Sequence, residues 1–242
     1  MSAVGRHRFP STRWSIVLEA SRGDSSEAAR EALATLCEIY WYPLYAYVRR
    51  RGYDAEDARD LTQGFFMRLL ERERPLRPQR DRGLFRSYLL GALKHYLADE
   101  QDRRHARKRG GGSPLLRLDF AEGANRYRQE PADAQTPESI YERRWALAVL
   151  EAALRRLEEE YERRGRADLF HNLKPTLVGE GRRGDYATLS RALSMSEEAL
   201  KVAAHRLRRR YREVLRAVVG RTVVTPSQID DELRHLLKIL GA

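Results

Sequence analysis

A run of positive charge near the end of the chain carries the strongest chemical signal in this sequence. From Lys201 to Arg212 there are six lysine or arginine residues and no acidic one. At helical spacing the apolar residues fall on one side and the basic residues on the other. The basic side comprises Lys201, His205, Arg208 and Arg212, with Arg206, Arg209 and Arg210 beside it. Such a helix can enter the major groove of DNA while its apolar side stays packed on its own domain. The alternative is an ordinary solvated amphipathic helix.

A shorter helix and a tight turn are expected immediately before this run. The spacing predicts a helix from Tyr186 to Leu193, a turn over 194–196 and a long helix from Glu197 to about Val219. Two helices joined in this way form a helix-turn-helix arrangement, whose second helix reads base edges. Because the turn and the one-sided charge occur together, we favour DNA recognition over the solvated-helix alternative.

Four acidic residues open a helix in the first half of the chain, namely Asp54, Glu56, Asp57 and Asp60. Asp54 is placed to cap this helix. Acids in a first turn complement the helix dipole, which explains the first three but not Asp60. An acidic surface in an otherwise basic protein suits a basic protein partner better than it suits DNA.

Arginine and aromatic residues are mixed in the segment that follows. A loop rich in proline and arginine, over 74–83, precedes a helix predicted from about Leu84 to Arg107. Opening a DNA duplex requires flat side chains for unstacked bases and cations for the backbone. Loop arginines together with Tyr88, Lys94, His95 and Tyr96 offer that mixture, although the apolar register favours a core position for Phe85 and Tyr96.

Composition limits the classes of function that remain. The 242 residues carry a formal charge of +11, which predicts an anionic partner such as nucleic acid. The single cysteine, Cys37, lies on an apolar helical face and is expected to be a buried structural thiol. The histidines are scattered without metal or catalytic spacing, so neither an enzyme nor a metal or other cofactor is expected. The absence of an apolar targeting segment predicts a cytoplasmic protein.

Periodicity throughout the chain predicts an all-α protein of two helical domains joined by a flexible linker. The predicted divisions are an N-terminal extension over 1–27, a first domain over 28–109, a linker over 110–137, a second domain over 138–224 and an extra C-terminal helix over 225–242. Thr225, Pro226 and Gln228 form a capping-box pattern at the start of that last helix. We expect the helix to pack on the second domain, either as a brace or as a mask over the basic run.

These features together resemble the extracytoplasmic-function group of bacterial sigma factors. Tyr186, Leu189, Leu200, Lys201, His205 and Arg206 match the group's C-terminal helix-turn-helix in register. The run 54–70 resembles the helix that docks on the polymerase clamp, and 85–102 resembles the helix that reads and melts the minus-ten element. The resemblance covers about 28–219. Gly64, His95, Ser190 and Ser194 depart from the usual acid, asparagine, alanine and turn glycine.

The resemblance implies roles for individual residues. For the minus-thirty-five element these are Glu197, Glu198, Lys201, His205, Arg206, Arg208 and Arg209. For the minus-ten element they are Arg77, Arg80, Arg82, Phe85, Lys94, His95, Arg103 and Arg104. For polymerase docking they are Asp57, Asp60, Leu61, Gln63 and Phe66.

The partners implied by the resemblance are core RNA polymerase and promoter DNA. An unidentified inhibitor protein is a further candidate partner, and no membrane partner is expected. A stand-alone helix-turn-helix regulator is the alternative function, but it leaves the acidic helix without a purpose.

Overall fold

The computed structural model describes residues 27–71, 85–106, 120–128, 136–177, 185–223 and 225–241. Every regular element in these ranges is helical, which confirms the predicted all-α class. The α-helices are α1 (Glu27–Arg50), α2 (Ala55–Glu71), α3 (Phe85–Ala106), α4 (Phe120–Arg128), α5 (Pro137–Arg163), α6 (Ala167–Leu173), α7 (Asp185–Leu193), α8 (Glu197–Gly220) and α9 (Ile229–Leu240). Short 3₁₀ turns at Lys174–Leu177 and Pro226–Gln228 follow α6 and precede α9.

Local hydrogen bonds explain where several helices begin. The Asp54 carboxylate accepts a hydrogen bond of 2.8 Å from the backbone N–H of Asp57, which confirms its predicted capping role. Thr136 caps α5 in the same way through the N–H of Ser139, at 3.1 Å. Each cap satisfies a backbone donor that the first turn of a helix otherwise leaves without a partner.

The chain divides into two compact units. Of the described residues, those up to Ala148 together with those from Gly220 onward make up one unit, and those within Val149–Val219 make up the other. The division falls inside α5 and near the end of α8, whereas the sequence placed a domain boundary before α5.

The first unit has a core rich in aromatic residues. Tyr40 on α1 packs edge-on against Phe85 on α3, with ring centroids 5.3 Å apart. Trp145 on α5 is fully buried. Other fully buried large side chains of this unit include Tyr45, Tyr47, Ile39, Leu44, Phe66, Leu89 and Tyr141. A core of this kind holds α1, α2, α3 and the start of α5 together.

The expected linker over 110–137 is wrong in part, because residues 120–128 form α4 and belong to the first unit. Tyr127 on α4 lies against α1, where the Arg49 guanidinium covers its ring at 4.8 Å. A Cβ at Gly123 would come within 2.9 Å of Trp41, so a glycine is needed for this close approach. Aromatic contacts therefore dock a segment whose polar composition predicted an irregular chain.

The C-terminal helix forms as expected, with the predicted capping box of Thr225 and Gln228 present. Its expected position on the second domain is wrong. Residues from Gly220 onward belong to the first unit, and the buried Glu232 forms an ion pair with Arg86 on α3. The stripe of apolar residues predicted that the helix is packed but carried no information about which surface receives it.

The second unit is built from most of α5 with α6, α7 and most of α8. Its core contains Leu157, Phe170, Leu173, Leu200, Ala204 and Leu207, all of which are fully buried. The sequence missed α6, a helix of seven residues that is too short for a clear periodic pattern.

Cys37 is buried on α1, as predicted, and burial raises the pKa of its thiol to about 12. Among the described helices, none combines the length and the apolar character needed to cross a bilayer.

Candidate nucleic-acid interface

The turn between α7 and α8 is held by two serine side chains. Ser194 adopts a left-handed conformation, with φ of 51°, at the position where a glycine was expected. The Ser190 hydroxyl donates a hydrogen bond of 2.5 Å to the carbonyl of Met195, across the turn. Ser196 accepts one of 3.2 Å from the N–H of Ala199 and so caps α8. These bonds stabilise a turn that lacks the usual glycine.

The exposed side of α8 carries a basic stripe, which we define as Lys201, His205, Arg209 and Arg212. These four side chains are exposed and recur at intervals of three or four residues. Among the described residues, no partner is found for His205 or Arg212, and the contacts of the other two with acids are long. The Lys201 ammonium lies 4.0 Å from Glu197, and Arg209 lies 3.9 Å from Glu213. The stripe is therefore available to an anionic ligand.

Two arginines of the same run act within the unit instead. Arg210 forms hydrogen bonds to Glu160 on α5 and to Glu213, and these raise its pKa. Arg208, which was predicted to contact DNA, donates its Nε to the carbonyl of Thr176 at 3.2 Å and is half-buried. The prediction for Arg208 is corrected accordingly, because its guanidinium anchors α8 to the 3₁₀ turn after α6.

Arg206 lies beside an apolar groove rather than on the stripe. The groove has a volume of about 690 Å³ and runs along the first half of α8. Leu193, Met195, Val202 and Tyr161 line it, and Val202 is half exposed. The predicted residues Glu197 and Glu198 are exposed in the first turn of α8, and Glu198 reaches the edge of this groove.

The structure separates the predicted docking residues on α2 into two groups. Asp60 is exposed, and Asp57 and Gln63 are half-buried. Leu61 and Phe66 are buried in the core of the first unit, so their predicted contact with a partner is corrected. Apolar residues that contact a partner and apolar residues that pack into the core recur with the same 3.6-residue period, so the sequence pattern does not separate them. Only the packing in the structure distinguishes the two.

Thr62 on the same helix offers no exposed hydroxyl for modification. Its side chain is fully buried, and its Oγ1 donates a hydrogen bond of 2.7 Å to the carbonyl of Ala58. The hydroxyl therefore bonds back to the carbonyl one turn earlier in α2 and is not presented to solvent.

A cavity of about 480 Å³ lies between α2 and α3. His95, which is exposed, lines it with Tyr88 and Tyr96 from the same helix and with Phe65 from α2. The cavity is further lined by Arg68, Leu69, Gly91, Ala92 and Asp99. Its walls combine aromatic rings with charged groups.

Arg68 and Asp99 were not predicted as site residues, although they face each other across the cavity. Arg68 donates a hydrogen bond of 2.7 Å to Asp99, which lowers the pKa of that carboxyl group. The two residues are 31 positions apart, so no local spacing could reveal the pair.

Gly64 allows Tyr96 to pack against α2, since a Cβ at this position would collide with the Tyr96 hydroxyl. The packing of Tyr96 therefore explains why this chain has a glycine at position 64, where sigma factors of the resembled group usually have an acidic residue.

The remaining residues predicted for the minus-ten element have separate outcomes. Phe85 is buried against Tyr40, so its predicted role in DNA contact is corrected. Lys94 is exposed and forms an ion pair of 2.7 Å with Glu138, which raises the pKa of the lysine. Arg103 is exposed and pairs with Glu100. Arg77, Arg80 and Arg82 lie outside the described residues, as does the side chain of Arg104.

No cluster of histidine, cysteine and acidic residues suited to a metal ion occurs in the described ranges. No family model, curated protein or solved structure matches this chain.

Proposed function

We propose that this chain is a promoter-specificity (sigma) subunit that binds core RNA polymerase and directs it to promoters. The observation that carries the proposal is the basic stripe on α8. Its four basic side chains face outward, opposite the buried Leu200, Ala204 and Leu207. Major-groove recognition by the second helix of a helix-turn-helix pair requires this division between a DNA-facing side and a packed side.

The cavity between α2 and α3 supports a role in opening DNA. A base that leaves the duplex needs an aromatic surface on which to stack and polar groups at its edge. Tyr88, Tyr96 and His95 supply rings, and the Arg68–Asp99 pair supplies a donor and an acceptor. We therefore assign this cavity to an unstacked base of the minus-ten element.

The acidic start of α2 supports a protein partner. Glu56 and Asp60 are exposed, and Asp57 is half-buried beside them. In a chain of net charge +11, this acidic surface would repel DNA and attract a basic protein surface. The clamp of core RNA polymerase is the partner that the resemblance to sigma factors implies.

Purified core RNA polymerase tests the proposal directly. The free chain should bind duplex DNA weakly and without sequence preference, and its affinity should fall steeply as salt is raised. Addition of polymerase should produce a stable complex and specific initiation on a promoter library, because the polymerase fixes the spacing of two DNA-binding surfaces. Tight, sequence-specific binding by the free chain, without association with polymerase, would contradict the proposal and favour the stand-alone regulator.

A further inference from the structure

The C-terminal helix α9 inserts a carboxylate into the first unit. Glu232 is only 1% exposed, and its Oε2 accepts a hydrogen bond of 3.0 Å from the Nε of Arg86. Burial raises the pKa of Glu232 above its usual range, while the neighbouring Arg86 acts in the opposite direction. A buried carboxylate is costly unless it is paired in this way, so the contact with Arg86 fixes the place of α9.

Arg86 is held from several sides. Its Nη1 forms an ion pair with Glu142 on α5, and its guanidinium lies over the ring of Trp145, 5.2 Å from the ring centroid. The hydroxyl of Tyr141 donates a hydrogen bond of 2.9 Å to the backbone carbonyl of Arg86. Both the side chain and the backbone of this residue are therefore fixed.

His235 connects α9 to the same group of residues. Its Nε2 lies 2.9 Å from the Oε2 of Glu142, and its ring packs against Trp145 at a centroid distance of 6.2 Å. Helix α9 thus contacts Arg86 directly through Glu232. It also reaches Arg86 indirectly, because His235 contacts Glu142 and Glu142 pairs with Arg86.

Arg86 is the second residue of α3, the helix that lines the cavity assigned to an unstacked base. His95, Tyr88 and Tyr96 all lie on this helix. A helix is stiff over this length, so fixing its first turn sets the direction of every side chain that it carries. In the sequence, the arginine-rich stretch over 74–83 comes shortly before α3.

We propose that Glu232 is a positioning residue for promoter opening, acting through Arg86 on the first turn of α3. The inference rests on the proposed function. The proposed role of α9 is separate from that of the basic stripe on α8. Through Arg86, α9 holds α3, which carries the residues assigned to strand opening, whereas the residues assigned to reading duplex DNA lie on α8.

Transcription by core polymerase on two forms of one promoter tests this role. One template is fully duplex, and the other has a pre-melted, non-complementary minus-ten segment. The Glu232→Gln variant removes the charge at nearly constant volume. The control is Asp231→Asn, since Asp231 is exposed and, among the described residues, pairs with its near neighbour Arg234 alone. All chains are assayed at a temperature at which circular dichroism shows them folded.

On the duplex template, the Glu232→Gln variant should initiate about tenfold more slowly than the wild type, because its hydrogen bond with Arg86 no longer joins two charged groups. On the pre-melted template the variant should match the wild type, and Asp231→Asn should match it on both. Permanganate reactivity of the minus-ten thymines should decline in the variant, while its co-purification with polymerase stays normal.

Equal losses on both templates would show that Glu232 only stabilises the fold and would overturn the inference, as would wild-type activity on the duplex. If Glu232→Gln does not fold, Arg86→Lys keeps the buried charge and removes the Nε donor, with the same outcomes expected. If the wild-type chain supports initiation on neither template, the proposed function itself is wrong and the positioning role falls with it.

Discussion

Arg210 on α8 and Glu160 on α5 form a two-point ion pair. The Nε of Arg210 lies 2.8 Å from Oε2 of Glu160, and its Nη2 lies 2.7 Å from Oε1. The two residues are 50 positions apart and join two helices of the second unit. The positive charges of α8 therefore serve two purposes, since Arg210 stabilises the unit while the basic stripe faces outward.

The Arg210–Glu160 pair predicts a pH-dependent contribution to stability. The hydrogen bond from Arg210 lowers the pKa of Glu160, so the folded chain keeps this carboxylate ionised where the unfolded chain has protonated it. The stabilisation is fully present above the ordinary glutamate pKa of about 4.3 and is lost as pH falls through the lowered folded-state value.

Urea unfolding of the wild type and of Glu160→Gln measures this contribution. At pH 7 the variant should be less stable by about 1 kcal/mol, a value suited to a two-point pair that is partly exposed to solvent. The difference should narrow as pH is lowered below about 5. A difference that stays constant with pH would show that the missing charge is not its cause.

Substitution within the basic stripe should change DNA discrimination without affecting stability. Lys201→Ala and His205→Ala each remove an exposed side chain, so the melting temperature should stay within error of the wild type. With polymerase present, discrimination at the upstream promoter element should fall by about 1–3 kcal/mol for each base edge that is no longer read. Arg163→Ala removes an exposed charge from α5 and serves as the control. An effect of the control equal to that of the stripe variants would indicate loss of general charge only.

Removal of the exposed imidazole from the cavity between α2 and α3 should affect strand opening. We expect His95→Ala to form the closed complex normally and to show reduced permanganate reactivity at the minus-ten element, because the cavity loses one of its rings. The comparison variant is Lys174→Ala, which lies in the second unit. Opening by His95→Ala at the wild-type rate would remove His95 from the site.

The acidic start of α2 should govern association with polymerase. Asp60→Lys reverses an exposed charge and should abolish co-purification with core polymerase while leaving the fold intact. Glu159→Lys makes the same change at an exposed position on α5 and should co-purify normally. Phe66→Ala differs from both, since emptying a buried site should cost about 3–5 kcal/mol of stability. Normal association of Asp60→Lys with polymerase would refute the assigned docking surface.

Deletion of the residues after Val224 should destabilise the first unit. The deletion removes the buried Leu236 and leaves Arg86 without Glu232, so the free energy of unfolding should fall by at least about 3 kcal/mol. Calorimetry measures the loss as a lower melting temperature. An unchanged melting temperature would contradict the packing of α9 in the first unit.

The sequence alone determined the helical class and the boundaries of helices such as α3, α7 and α8 to within a residue or so. Caps such as Asp54, Ser196 and Thr225 act on residues three positions away, and a 3.6-residue period repeats within every helix. The information for these features lies within a few neighbouring residues. The charged, outward-facing side of α8 was predicted for the same reason, because the apolar and basic residues alternate at helical spacing along a single element.

Only the tertiary structure decided which polar groups meet and which apolar residues are exposed. Arg86 and Glu232 are 146 positions apart, so their pairing depends on the path of the whole chain. The burial of Phe66, the docking of α4 on α1 and the withdrawal of Arg208 from the basic face have the same origin. The periodic pattern of a helix shows whether a side chain lies on its apolar or its polar side. Which residue that side chain contacts depends on the free energy of packing elements that are distant in sequence. No pattern confined to a single helix records that choice.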